Sequence, residues 1–171
     1  MKRSVLRRAL NRVLHFLARH GPGSTGLRPL LHRMRGVKVG RDVFIGDEVY
    51  LENEYPEAVE IQDGVQISVR AIIIAHTRGV GKVVIEKDVF IGPNTVIISS
   101  GGRLLRVGEG AVIGAGVILS KDVPAQMFVV NDSSRAVARA LVPLTKVEKV
   151  EDFVRGLAPI KVGSRSGDIR V

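Results

Sequence analysis

Through the middle of this chain the hydrophobic positions follow neither a strand's two-residue period nor a helix's 3.6. From Val39 to Pro124 an aliphatic residue recurs every six positions. The units read VGRDVF (39–44), IGDEVY (45–50), LENEYP (51–56), IQDGVQ (61–66), ISVRAI (67–72), IIAHTR (73–78) and GVGKVV (79–84), then IEKDVF (85–90), IGPNTV (91–96), IISSGG (97–102), VGEGAV (107–112), IGAGVI (113–118) and LSKDVP (119–124). Every unit but GVGKVV opens with Val, Ile or Leu, and most place a small or branched residue four positions later. The register survives two inserts, before Ile61 and before Val107, which predict surface loops at corners. Six residues accommodate one short strand and one corner. Three units per turn then predict a triangular parallel β-helix of about four coils, with the leading aliphatics inward and stacked at ~4.8 Å.

Helical periodicity appears only at the ends. Residues 3 to 20 carry Leu6, Leu10, Val13, Leu14 and Leu17 on one stripe with arginines elsewhere, which predicts an amphipathic helix ending at GPGSTG (21–26). LRPLLHRMR (27–35) predicts a second short helix before Gly36, and KVEKVEDFVRGL (146–157) a third, followed by a loose tail, VGSRSGDIRV. The chain therefore divides into a basic helical segment (1–36), the β-helix (37–124) and a C-terminal extension (125–171).

Composition agrees with a repetitive β architecture. The 171 residues are 45% hydrophobic but only 4% aromatic, with no Trp and 19 Gly, so the core is built from small and branched aliphatics. The absence of Cys excludes disulfides, thiolate metal sites and a Cys nucleophile. The net charge of +9 is local: residues 1–36 hold nine Lys/Arg and no Asp/Glu, whereas the remainder is balanced. Arg3, Arg7, Arg8, Arg12 and Arg19 interrupt every candidate signal-peptide core, and no apolar run is long enough to span a bilayer, so a cytoplasmic protein is expected. No aromatic or recognised nucleic-acid motif accompanies the basic segment, so no nucleic-acid partner is expected. Its apolar stripe is expected to cap the open end of the β-helix or to pack on a neighbouring subunit; the alternative is peripheral contact of residues 3–20 with an anionic membrane at the inner surface.

The [LIV]-G-x-x-[AVT]-x units over roughly residues 37–139 resemble the hexapeptide-repeat acyltransferases. GVKVGRDVFIGDEVYL is similar to the first coils, and VGEGAVIGAGVILSKDVP to the last coils, of the maltose, galactoside and surface-polysaccharide O-acetyltransferase branch. The resemblance implies a left-handed winding, a homotrimer and acetyl-CoA as acyl donor, with no metal. It also implies a general base in this part of the coil, and His76 is the only histidine in the repeats. Ile73 and Thr77 take the inward positions of IIAHTR, which sends His76 outward near a corner. An imidazole, with a free pKa near ~6.5, can accept the proton that an attacking hydroxyl loses. Glu48, Glu52 and Glu54 from the preceding coil are all candidates to orient it, and the pattern does not choose among them.

For the donor, IGAGVILSKDVP resembles the family's closing motif and implicates Ala115, Ser120 and Lys121; Arg135 aligns with a basic residue near the CoA phosphates. VVNDSSRAV (129–137) lacks the Gly and Pro of the family's Gly-x-Pro-Ala-Arg stretch, and TRGVGK after His76 is shorter than the corresponding loop of the sugar acetyltransferases. The expected function is transfer of an acetyl group to a sugar or glycan hydroxyl. The alternatives are an N-acyltransferase on an amino sugar and a non-catalytic β-helix scaffold. A zinc carbonic anhydrase on the same coil would need three histidines in the repeats.

Overall fold

Each hexad folds as a two-residue strand and a tight corner, because its first and fifth residues point inward and its fourth turns the chain. Asp42, Glu48, Arg70, Asp88 and Asn94, all at fourth positions, have φ between 54° and 59°, and Gly64, Gly110 and Gly116 share the left-handed conformation. Glycine follows the leading aliphatic for a different reason. A Cβ on Gly46 or Gly92 would lie 2.7 Å from the backbone nitrogen of Val69 or Ala115 in the next coil.

The computed structural model describes residues 5–131, 138–141 and 150–159. They belong to two units, Met1–Asn131 and Asp132–Val171. The first begins with helices α1 (Val5–His20) and α2 (Leu27–Arg35). The coils follow: β1 (Lys38–Val39), β2 (Phe44–Ile45), β3 (Tyr50–Leu51); β4 (Val59–Ile61), β5 (Gln66–Ile67), β6 (Ile72–Thr77); β7 (Lys82–Ile85), β8 (Phe90–Ile91), β9 (Val96–Ser100); β10 (Leu104–Val107), β11 (Val112–Ile113), β12 (Ile118–Leu119). They stack into three parallel sheets, β1-β4-β7-β10, β2-β5-β8-β11 and β3-β6-β9-β12. Although the hexad pattern ends at Pro124, the winding continues into β13 (Phe128–Val129), which pairs with β11.

The core is a set of stacked ladders such as Ile45, Ile67, Ile91 and Ile113, all fully buried. Burying each contributes about 1.5–3 kcal/mol before entropy is subtracted. The first insert carries a single 3₁₀ turn, Pro56–Ala58, with Pro56 and Ala58 buried. It is therefore partly packed rather than a plain surface loop.

An open end of a solenoid leaves strand edges unpaired. Here α1 and α2 cover it. Backbone N–H groups of Ile45 and Glu48 donate to the carbonyls of Ser24 and Arg19, and the Arg28 guanidinium donates to Ile45 O and pairs with Asp47. The sequence expectation holds for the cap but not for the surface that makes it. Polar and basic side chains contact the coil, Leu14 and Ala18 pack with Leu31, and Leu6, Leu10, Val13 and Leu17 stay exposed.

In the second unit β14 (Ala138–Ala140) pairs antiparallel with β15 (Leu157–Pro159), and α3 (Val150–Arg155) precedes β15. Residues 146–149 of the expected third helix, the tail 162–171 and Arg3 lie outside the described residues.

Candidate active site

The corner that leads from the β3-β6-β9-β12 sheet to the β1-β4-β7-β10 sheet departs from the hexad rule in successive coils. The fourth positions there, Glu54, His76, Ser100 and Asp122, have no left-handed backbone. Instead the chain runs out through 52–58, then 77–81 with Arg78 and Gly79 at positive φ, then the Gly101–Gly102 pair. Polar side chains collect along this one column.

His76 sits at its second level. Between Ile74 and Thr77 the register of β6 against β9 slips, since Ile74 faces Ile98 while Thr77 faces Ser100. Two residues, Ala75 and His76, thus occupy the span opposite Ser99, as in a β-bulge. The bulge changes which side chains point inward. Ile73 and Ala75 are buried, and Thr77, expected to be inward, is exposed. His76 is half-buried and directed outward, as its unit predicts.

Glu52 explains the bulge. Its side chain is fully buried, and the ladder from β3 to β6 ends with its own N–H donating to Ile73 O at 2.8 Å. The next acceptor for β6 is the Glu52 carboxylate: Oε2 accepts from the Ala75 N–H at 2.8 Å and from His76 Nδ1 at 2.6 Å. Oε1 accepts from the N–H groups of Glu54 (2.8 Å) and Tyr55 (3.1 Å) in the first insert. Gly81 N–H closes the other side, donating to Ala75 O at 2.7 Å.

Burial alone would raise the Glu52 carboxyl, but the hydrogen bonds from His76, Ala75 and Tyr55, with attraction to His76, outweigh it and hold the carboxyl below its ordinary value. Glu52 is therefore ionised at neutral pH. An ionised carboxylate only accepts, so Nδ1 of His76 carries a hydrogen toward it, and in the neutral imidazole the lone pair then sits on Nε2. The arrangement is an imidazole oriented through Nδ1 by a buried anion. Of the three carboxylates open at the sequence level, Glu48 pairs with Arg70 and Glu54 reaches Arg12 at 3.6 Å. A signal for Glu52 is present in the sequence: LENEYP, the unit before the first insert, puts Glu where the two preceding units have Gly.

The pair is also tied to the helical cap, which sequence reasoning missed. Buried Arg35 donates from Nη2 to the carbonyls of Glu52 (2.8 Å) and Leu51 (3.3 Å), from Nε to Asn11 Oδ1 (2.9 Å), and from Nη1 to His32 Nδ1 (3.0 Å). Asn11 in turn donates to Asn53 O at 2.6 Å. Arg35, Asn11 and Asn53 thus clamp the backbone on which Glu52 stands.

Lower in the same column is a cleft of about 420 Å³ lined by Ser99, Ser100, Arg103, Ser120, Lys121 and neighbouring residues. A second cleft of about 390 Å³, more apolar, is lined by Ile118, Met127, Phe128 and Val129 and shares Ser120 and Lys121. Ser120 and Lys121 line both clefts, and Arg103, which the motif did not single out, lines the first. Ala115 is exposed in the turn between β11 and β12, one corner earlier, and does not line either cleft. Arg135 lies outside the described residues. Among the described residues no cluster of His, Asp and Glu could hold a metal ion, and no helix is long and apolar enough to cross a membrane.

The structure is thus a parallel β-helix whose corner column carries an oriented imidazole above a cleft lined by Arg103, Lys121 and Asp122, and sequence comparison gives the class of such a scaffold. The chain is 30% identical over 133 residues to the Bacillus subtilis (strain 168) protein named "Putative acetyltransferase YvoF", covering 74% of each. It is 41% identical over 58 residues to a 2,3,4,5-tetrahydropyridine-2,6-dicarboxylate N-acetyltransferase of Staphylococcus aureus (strain JH9), a match spanning 34% of this chain and 23% of that one. A crystal structure of a hexapeptide-repeat-containing acetyltransferase from Vibrio cholerae superposes with a TM-score of 0.49 at 18% identity, over 71% of this chain and 85% of the other. No family model matches the chain. The protein belongs to the hexapeptide-repeat acetyltransferase family, and its coils are that family's left-handed parallel β-helix.

Proposed function

We propose that the protein is a CoA-dependent O-acetyltransferase that moves an acetyl group from acetyl-CoA to a hydroxyl of a sugar or glycan precursor. The observation that carries this reading is the 2.6 Å contact between His76 Nδ1 and the buried Glu52 carboxylate, which leaves Nε2 as a base. The acceptor hydroxyl gives its proton to Nε2 as its oxygen attacks the thioester carbonyl. Glu52 stabilises the imidazolium so formed. When the carbon–sulfur bond breaks, the proton on Nε2 passes to the departing thiolate and the base is restored.

The donor fits the cleft at the foot of the column. Lys121 and Arg103 bring positive charge suited to the CoA phosphates, Ser99, Ser100 and Ser120 offer hydroxyls, and the adjoining apolar cleft suits the pantetheine chain. The backbone of Ala115 is the proposed contact further along that chain. Arg135 is a further candidate for the phosphates. The cytoplasm is the proposed compartment.

A homotrimer is part of the same proposal. The outward residues of β6, β9 and β12 in the third sheet, Ile72, Val96 and Ile118, are apolar and suit a subunit interface. Light scattering at a mass of three chains supports it; a monomer or dimer removes it.

N-acylation of an amino sugar is the second reading, favoured by the match to an N-acetyltransferase. Calorimetric titration of acetyl-CoA into wild-type protein and into His76→Ala tests the donor site. Comparable binding by both supports it, and binding by neither leaves a scaffold. Offering hydroxyl and amine acceptors in competition then separates O- from N-transfer.

A further inference from the structure

The α1–α2 hairpin has two sides. Toward the coil it presents Asn11, His15, Arg28 and Arg35, and the seam between the helices is filled by Leu14, Ala18 and Leu31. Outside that seam, Phe16 of α1 is exposed and lies against His20; the other large apolar residues described there are exposed as well: Leu6, Leu10, Val13 and Leu17 on α1, Leu27, Leu30 and Met34 on α2.

Their spacing puts them on one surface. Leu6, Leu10, Val13 and Leu17 follow i, i+4, i+7, i+11 and adjoin Leu14 on the flank away from Asn11 and His15. Leu27, Leu30 and Met34 follow i, i+3, i+7 and adjoin Leu31 on the flank away from Arg28 and Arg35. Both flanks therefore lie on the side of the hairpin opposite the coil. Gly21, the first residue after α1, lies between the Leu17 carbonyl and the Leu27 side chain.

Charge decides what covers this surface. Residues 1–36 contain nine Lys/Arg and no Asp/Glu; Arg28 and Arg35 are buried against the coil, and Arg7, Arg8, Arg12 and Arg33 are exposed. A second copy docking through the same face would bring two wholly basic segments together, and like charges oppose that. A bilayer with anionic headgroups satisfies both features, taking the leucines into its interface and attracting the exposed arginines of the segment. With 16 residues, α1 is about 24 Å long and is suited to lying in the interface rather than crossing it.

We propose that the outer face of the α1–α2 hairpin docks the protein on an anionic phospholipid surface. This inference does not depend on the acetyl-transfer reading. Wild-type protein is sedimented with phosphatidylcholine vesicles and with vesicles containing about one-quarter phosphatidylglycerol, at about 0.15 M and about 1 M salt. Binding is expected at least about tenfold tighter to the anionic vesicles and to weaken at high salt. Leu10→Glu with Leu30→Glu, both at exposed positions, is expected to lose binding while keeping the wild-type thermal transition, and His76→Ala to bind as wild type. The proposal is overturned if wild-type protein stays in the supernatant with anionic vesicles, binds neutral vesicles equally well, or pellets unchanged with both glutamates in place. A change of oligomeric mass in that double variant without vesicle binding by the wild type would mark the face as a contact between copies instead.

Discussion

His76 Nδ1 lies 2.6 Å from Oε2 of Glu52, a residue one coil away whose carboxylate also accepts three backbone N–H groups. The carboxylate stands in for the backbone acceptor that the parallel ladder would supply, so the same four hydrogen bonds that end the ladder also orient the imidazole.

Replacing His76 with Ala removes one of those four bonds from a half-exposed side chain and leaves the ladders untouched. Turnover is expected to fall about 10²–10⁴-fold. Circular dichroism and the thermal midpoint should stay near wild type, and acetyl-CoA affinity should be unchanged by calorimetry. Undiminished turnover would remove His76 as the base.

Glu52→Ala is expected to behave differently. It strands the buried N–H of Ala75, at about 1–3 kcal/mol, and leaves those of exposed Glu54 and Tyr55 to water. The thermal midpoint should therefore drop clearly, together with activity. Equal stability of the His76 and Glu52 variants would mean that the carboxylate has no such structural duty.

Arg35 acts through the backbone of Glu52. Its planar fork reaches Glu52 O, His32 and Asn11 together, a geometry that the single ammonium of Lys does not reproduce. Arg35→Lys is expected to lower kcat while leaving KM for acetyl-CoA near wild type. A changed nitrogen NMR signature of His76, reporting a mixture of tautomers, would distinguish lost positioning from simple destabilisation.

Stability should fall on mild acidification. Burial, with the nearby Arg35, lowers the pKa of both His15 and His32 to about 3, so the folded protein holds them neutral. The unfolded chain takes up their protons below about pH 6.5. Stability from this source is complete above that pH and is lost progressively as pH falls from about 6.5 toward 3. Thermal midpoints measured from pH 7.5 to 4.5 should decline, and His15→Phe should flatten the decline.

At the cleft, Lys121→Ala and Arg103→Ala are expected each to weaken acetyl-CoA binding measurably by calorimetry, and more strongly at low salt, because what they lose is attraction to phosphate. Unchanged affinity in both would place the donor elsewhere.

The six-residue recurrence of Val, Ile and Leu by itself determined the β-helix, because an inward aliphatic every hexad can be buried only if successive coils stack in register. It determined the helices as well, through the leucine spacing of residues 5–20 and the breaker GPGSTG. It also isolated His76, the one imidazole among the repeats, and placed Ser120 and Lys121 together by adjacency. Only the tertiary structure chose Glu52 among three nearby carboxylates, since what distinguishes it is burial against a ladder end 24 residues before His76 in the chain. Only the tertiary structure turned Thr77 outward, because the Glu52 carboxylate captures the Ala75 N–H and shifts the register by one residue. The same holds for the cap: the stripe of Leu6, Leu10, Val13 and Leu17 is legible as a pattern, but which side of the helix meets the coil was decided by unpaired backbone groups at the edge of the first turn, and those called for Arg28, Arg35 and Asn11 rather than leucine.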